Sequence, residues 1–316
     1  LLLHLLAVAV GLILLVWSAD RFVVGACVTA ERIGVPVLVI GMLLMGFGTS
    51  APEMLVSLQA SLDDNPGLAV GNALGSNITN IALILGLTAL LRPVVVGSTL
   101  IKRELPILLL ITLLASALLF NLQLVFWKGL VLLLALVAFI GYSWWLAQQG
   151  KSDALLDEVN EVLQPMSQAR AVFWLLLGLL VLVVSARLLV WGAVAIAQTL
   201  GVSDLVIGLT LVAIGTSLPE LAASIAAARR NQADLVIGNV IGSNIFNLLA
   251  VLPIPALLVV GSLDPALVWR DLPVMLGLTL LLLVFAIGRQ WQGRINRYEG
   301  VALLMCFVGY QWWLFG

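Results

Sequence analysis

Two blocks of this sequence occur twice at one fixed interval, and that interval governs what the chain can fold into. Gly48-Thr49-Ser50-Ala51-Pro52-Glu53 returns as Gly215-Thr216-Ser217-Leu218-Pro219-Glu220. Gly71-Asn72-Ala73-Leu74-Gly75-Ser76-Asn77-Ile78-Thr79-Asn80 returns as Gly238-Asn239-Val240-Ile241-Gly242-Ser243-Asn244-Ile245-Phe246-Asn247. The register extends to Arg103, Glu104 and Pro106 against Arg270, Asp271 and Pro273, and Gly141-Tyr142 with Trp144-Trp145 and Gly309-Tyr310 with Trp312-Trp313 close the two halves. The chain is an internal duplication.

What lies between the motifs is apolar. Of the 316 residues, 62% are hydrophobic and 10% charged, against about 25% charged in a soluble domain. A spanning helix needs about 20 apolar residues. Dividing the chain at its polar and Gly/Pro punctuation gives ten runs, near 2–30, 35–61, 67–91, 105–120, 124–147, 171–198, 204–228, 235–258, 271–288 and 299–315. Five fall in each half, and an odd number makes the second copy enter the membrane from the opposite side, the inverted-topology repeat of secondary transporters. The expected fold is therefore an all-α polytopic membrane protein of ten transmembrane helices in two inverted five-helix repeats, 1–147 and 171–316. A polar linker, 148–170, carries Lys151, Asp153, Asp157, Glu158 and Glu161.

Lysine and arginine set the orientation. With the N-terminus outside, Arg32, Arg92, Lys102, Arg103, Lys151, Arg170, Arg229, Arg230, Arg289, Arg294 and Arg297 face the cytoplasm, Lys128 and Arg270 stay outside, and Arg21 and Arg187 fall within spans. The linker is then cytoplasmic and both termini are periplasmic or external. Trp144, Trp145, Trp312 and Trp313 suit interfacial anchoring. Residue 1 is leucine, so the true start is expected upstream. Basic and acidic residues nearly balance, 15 against 16, which excludes nucleic acid as a partner. One histidine, His4, and two cysteines, Cys27 and Cys306, leave no material for histidine catalysis, a zinc site or a disulfide framework.

Glu53 and Glu220 sit mid-span, where an acidic side chain costs about 2.5 to 3.5 kcal/mol on insertion scales. A purely structural reading would keep each protonated against a neighbouring helix; a matched pair in two repeats fits function better. Pro52 and Pro219 lack N–H groups, so the carbonyls of Gly48 and Gly215 lose their helical partners, which is tolerated at membrane depth where backbone lines a cavity. Helical spacing brings Thr49, Ser50 and Ser57 to the face of Glu53, and Thr216, Ser217 and Ser224 to that of Glu220. Asn72, Ser76 and Asn80, with Asn77 beside them, form a second oxygen-rich stripe, repeated at Asn239, Ser243, Asn244 and Asn247. Carboxylate, amide, hydroxyl and carbonyl oxygens suit hard cations such as Ca²⁺ and are wrong for zinc or copper. Two glutamates balance one Ca²⁺ or two Na⁺. Asp20, Arg21 and Arg187 are expected to snorkel towards an interface or to gate. Asp63 and Asp64 form a solvated turn or an attractor for cations.

The paired G-T-S-x-P-E and G-N-x-x-G-S-N-I-x-N blocks resemble the two α-repeats of the cation/calcium exchanger family, most closely its bacterial inner-membrane calcium/sodium antiporters. The resemblance covers nearly the whole chain. It implies a ten-helix antiporter, not an enzyme, that exchanges Ca²⁺ against Na⁺, with K⁺ or H⁺ in some branches, and that needs no cofactor and no partner beyond membrane lipid and the transported cations. Carried over by motif, the ion ligands are Thr49, Ser50, Glu53, Ser76, Asn80, Thr216, Ser217, Glu220, Ser243 and Asn247, with helix-break carbonyls near Gly46 and Ala213. It also implies that the first and sixth spans slide past the motif-bearing core. Several branches carry aspartate where this chain has Asn80 or Asn247, which leaves counter-ion and stoichiometry open. The rival readings are a passive cation channel, which would need no counter-ion, and an intramembrane enzyme, for which no G-x-S-x-G, H-E-x-x-H or paired-aspartate motif is present.

Overall fold

The computed structural model describes residues 1–35, 37–97, 100–149, 166–200, 213–287 and 293–315. Among these, the helices of twelve residues or more are α1 (Leu2–Ile33), α2 (Ala51–Leu62), α3 (Pro66–Thr79), α4 (Leu105–Leu119), α5 (Phe126–Gln149), α6 (Gln168–Thr199), α7 (Leu218–Arg229), α8 (Ala233–Phe246), α9 (Leu272–Ile287) and α10 (Arg297–Phe315). The protein is mostly helical. Six stretches among the described residues are long and apolar enough to cross a membrane: Leu2–Ala30, Pro66–Leu91, Phe126–Leu146, Gln168–Thr199, Ala233–Leu258 and Leu267–Ile287. Most of the polar linker, residues 150–165, lies outside the described residues, as does Arg289.

Burial separates a core from a rim. α8 is buried at every position from Leu235 to Phe246, so both its Asn–Ser block and its aliphatic face are enclosed by protein. α3 is buried over its second half, from Ala73 to Thr79 except at Gly75, while α1, α5 and α6 expose leucine, valine and tryptophan in the manner of lipid-facing helices. α7 packs on α8, α2 on α3, and the segment before α2 crosses α8. That crossing is close because Gly46 has no side chain: a Cβ there would stand 2.7 Å from the Gly242 carbonyl carbon and the Ser243 nitrogen.

α1 and α6 each run 32 residues, about 48 Å at 1.5 Å per residue. That exceeds the roughly 30 Å hydrocarbon core, so both must tilt or protrude. They pack against each other along their length at four glycines. A Cβ on Gly11 would meet Leu189 and one on Gly178 would meet Phe22; one on Gly25 would meet Ala171 and Leu175, and one on Gly192 would meet His4, Ala7 and Val8. The 167-residue interval exchanges each of these contacts for another.

Several helices carry π-helical turns: Gly41–Met45, Asn80–Leu85, Leu100–Glu104, Asn247–Val251 and Leu267–Asp271. Two of them begin at Asn80 and Asn247, at the ends of the repeated asparagine blocks. Two short ribbons tie the halves together. β1 (Val94–Val96) pairs antiparallel with β4 (Gly293–Ile295), placing Val95 opposite Arg294. β2 (Gln123–Leu124) pairs with β3 (Gly261–Ser262), placing Leu124 opposite Gly261.

Candidate functional site

The helix leading into α2 breaks at Ser50, whose ψ of 5° leaves the helical region, and the one leading into α7 breaks at Ser217, with ψ of 8°. Proline in the first turn explains both breaks, since Pro52 and Pro219 can start a helix but cannot continue one. The expected orphan carbonyl at Gly48 is not left bare: the Ser50 N–H turns back on the Gly46 and Gly48 carbonyls. Ala213 opens the short helix Ala213–Thr216 ahead of the second break.

Each break points a serine at the glutamate of the other half. Ser50 Oγ donates to Glu220 Oε1 at 3.4 Å, and Ser217 Oγ donates to Glu53 Oε1 at 3.3 Å. Thr216 and Ser76 also stand by the Glu53 carboxylate, as Thr49 does by Glu220. Both glutamates are buried, 0% and 1% exposed. Their second oxygens, Oε2, are buried without a hydrogen-bond partner.

The asparagine blocks close the site from α3 and α8. Asn80 Nδ2 donates to Asn244 Oδ1 at 3.0 Å, which leaves Asn80 Oδ1 buried and unpartnered, and neither amide atom of Asn247 has a partner. Ser243 lies 3.3 Å from Thr49 Oγ1 and donates to the Gly46 carbonyl at 3.5 Å. The amides of Asn72 and Asn239 have a different task from the ligand role that their stripe suggested. They donate to the main-chain carbonyls of Glu53 and Glu220, at 3.0 and 3.1 Å, and so pin each glutamate's helix to the asparagine helix of its own half. Asn77 Nδ2 reaches Met275 Sδ at 3.6 Å.

Thr49, Ser50, Glu53, Ser76, Thr216, Ser217, Glu220 and Ser243, with the Gly46 carbonyl, thus meet in one buried cluster from both halves. Asn80 instead joins Asn244, and Asn247 has no hydrogen bond to either glutamate. Unsatisfied buried oxygens are rare in folded proteins, yet here Glu53 Oε2, Glu220 Oε2, Asn80 Oδ1 and Asn247 Oδ1 all are. All four are acceptors. No group of three or more His, Cys, Asp and Glu residues is arranged for a metal among the described residues, so any cation here relies on two carboxylates supplemented by neutral oxygens.

A family model described as sodium/calcium exchanger protein matches residues 3–145 and 170–316. The chain belongs to the sodium/calcium exchanger family. It is 48% identical to the antiporter candidate CaxA of Alkalimonas amylolytica over 98% of this chain and 97% of that one. It is 42% identical to the inner membrane protein YrbG of Escherichia coli over 94% and 91%. Among solved structures, the sodium-calcium exchanger NCX_Mj soaked with 2.5 mM Na⁺ and 0.1 mM Ca²⁺ superposes with a TM-score of 0.84 at 36% identity, covering 98% of this chain and 97% of that one. Family membership makes this chain a membrane transporter of inorganic cations.

Proposed function

We propose that this protein is a secondary active antiporter of the bacterial inner membrane, exchanging Ca²⁺ for Na⁺ by alternating access at a mid-membrane site built on Glu53 and Glu220. The observation that carries the reading is the pair of buried carboxylates from opposite halves, each with one oxygen held by the other half's serine and one left without a partner. Two buried negative charges without a cation are costly, and one Ca²⁺ or two Na⁺ would balance them. Thr49, Ser50, Ser76, Asn80, Thr216, Ser217, Ser243 and Asn247, with the carbonyls of Gly46 and Ala213, complete the proposed ligand set; because Ca²⁺ and Na⁺ use overlapping members of it, binding of one displaces the other. The repeats are 1–147 and 171–316, each of five spans in inverted orientation, joined by a cytoplasmic linker at 148–170, with both termini external. Amides stand at both Asn80 and Asn247, so the site holds two carboxylates and no third, and Na⁺ is the proposed counter-ion, with K⁺ or H⁺ as the alternatives the gradient experiment separates.

The test is ⁴⁵Ca²⁺ uptake into proteoliposomes under imposed Na⁺, K⁺ or H⁺ gradients in turn. Uptake driven by an outward Na⁺ gradient is the expected result, and added dependence on a K⁺ or H⁺ gradient would identify a further coupled ion. Ca²⁺ flux indifferent to every counter-gradient would identify a passive channel and overturn the exchange reading.

A further inference from the structure

The carboxylate of Asp20, halfway along α1, accepts from Arg230 Nε at 2.7 Å and lies 2.6 Å from Nη2 of the same side chain. Arg230 caps the C-terminus of α7, so this pair clips the rim helix to the end of a site-bearing helix. The 167-residue interval carries Asp20 onto Arg187 of α6 and Arg230 onto Asp63 at the end of α2. The pair therefore recurs in the other half with its signs exchanged. Comparing like with like hides it, because neither residue matches its mate in type.

The second pair is open. Asp63 accepts from Gln59 Nε2 at 3.0 and 3.1 Å, and Arg187 is exposed and makes no ion pair among the described residues. The helices agree with the side chains: α1 packs against α7, whereas α6 makes no comparable packing against α2. Within the α1–α6 pair itself the two-fold relation holds. The four glycine contacts exchange with each other, and Ser18 and Ser185 each donate to the carbonyl three residues earlier, at 3.2 and 2.9 Å. A symmetric pair of helices thus sits asymmetrically on the rest of the molecule.

We infer that Asp20–Arg230 and Arg187–Asp63 are reciprocal latches at opposite membrane faces, one closed in each of the two access states. When the α1–α6 pair shifts, α1 leaves α7 and α6 reaches α2, so one ion pair is exchanged for another of reversed polarity. The two states then differ little in electrostatic energy, as a cycle that runs both ways requires. The inference rests on the alternating-access reading above, but on different residues from the ion site.

The experiment uses the full chain with Cys27→Ala and Cys306→Ala, carrying Asp20→Cys with Arg230→Cys, Asp63→Cys with Arg187→Cys, or all four cysteines. A short bifunctional thiol reagent should bridge 20 to 230 and, in a separate population, 63 to 187. In the four-cysteine protein each molecule should carry one bridge and never both, as read by mass. Either bridge should lower exchange at least tenfold, with recovery on reduction. Arg187→Asp alone should slow exchange about two- to fivefold, the scale of a partly exposed ion pair, and Arg187→Asp with Asp63→Arg should restore it. Absence of the 63–187 bridge in every Na⁺ and Ca²⁺ mixture, or both bridges in one molecule, overturns the proposal. The bridging pattern is read without any flux measurement, so it stands apart from the question of which ion is carried: a transporter of another cation would keep the exclusive bridges and fail only the Ca²⁺ uptake test.

Discussion

At the scale of single residues, Glu53 and Glu220 are exchanged between the halves: each is carried by one repeat and held by a serine of the other. That arrangement makes the two carboxylates one unit. Glu53→Gln or Glu220→Gln keeps the shape and the serine contact but leaves a divalent ion half-neutralised. Losing one member of a buried charge arrangement costs about 3 to 5 kcal/mol, so Ca²⁺ exchange should fall by about a hundredfold or more at unchanged membrane abundance. Unchanged ⁴⁵Ca²⁺ flux in either variant would remove the glutamates from the site. Asn247 is the complementary case, with both amide atoms buried and unpartnered. In the proposed ligand set Asn247→Asp would add a third carboxylate to the two of the site, and crowded carboxylates resist joint ionisation. The variant should recruit a further monovalent cation or a proton, so its apparent Ca²⁺ affinity should become sensitive to Na⁺ or to pH across about pH 6 to 8. Superimposable wild-type and variant curves would place Asn247 away from the ions. The residue types of this cluster were legible in the sequence, because mid-span carboxylates, hydroxyls and amides in repeated blocks have few other uses. Their pairing was not. Spacing puts Asn72 on an oxygen-rich stripe but does not say which end of its amide faces the ions, and the structure turns the nitrogen onto the Glu53 carbonyl.

At the scale of elements, the contact between α1 and α6 depends on what its residues lack. A Cβ on Gly25 would lie 2.8 Å from the Ala171 carbonyl oxygen, and one on Gly192 would lie 2.7 Å from the His4 carbonyl oxygen. Backbone cannot yield as a flexible side chain can, so Gly25→Val or Gly192→Val should force the helices apart, at about 1 to 3 kcal/mol for overpacking. A lowered melting temperature in detergent and reduced exchange are expected, and the two variants should behave alike because the repeat makes their sites equivalent. Gly141, with nothing within 4 Å of its would-be Cβ, is the control, and Gly141→Ala should leave both measurements unchanged. Wild-type stability in Gly25→Val would show that this helix pair packs less tightly than described. Sequence located these helices but ended them early. Apolar runs at 2–30 and 171–198 became Leu2–Ile33 and Gln168–Thr199, because Arg32, Gln168 and Arg170 are good helix formers that an apolar criterion stops at. The π-helical turns at Asn80 and Asn247 left no trace in composition, since an extra residue in a helical turn is set by packing around it. Such turns gather at functional sites, and here they begin at two of the proposed ligands.

At the scale of the molecule, the two ribbons limit how the chain can be threaded. β1 follows the third expected span and β4 precedes the tenth, so their pairing requires those two connections to share a membrane face. β2 lies between the fourth and fifth spans and β3 between the eighth and ninth, so their pairing makes the same demand of that second set. Ten spans satisfy both, because an even number separates the connections in each case. Within that threading, Leu62 at the end of α2 and Arg229 at the end of α7 are repeat mates separated by five spans, and an odd number puts them on opposite faces. The distribution of arginine assigns the faces: Arg229 and Arg230 stand in one connection, Asp63 and Asp64 in the other, and basic residues favour the cytoplasm. Both mates are exposed and distant from the carboxylate cluster, so cysteine is tolerable at either. In a Cys27→Ala, Cys306→Ala background, Leu62→Cys should react with a membrane-impermeant maleimide in intact cells, and Arg229→Cys should react only after the membrane is opened. The reverse pattern would keep the inverted repeat and flip the molecule, moving the Asp20–Arg230 clip to the outer face. Labelling of both from the same side would mean that the duplicated halves are parallel. Serines from the two breaks could then no longer approach each other's glutamates from opposite directions, and the two-fold arrangement of the site would have to be abandoned.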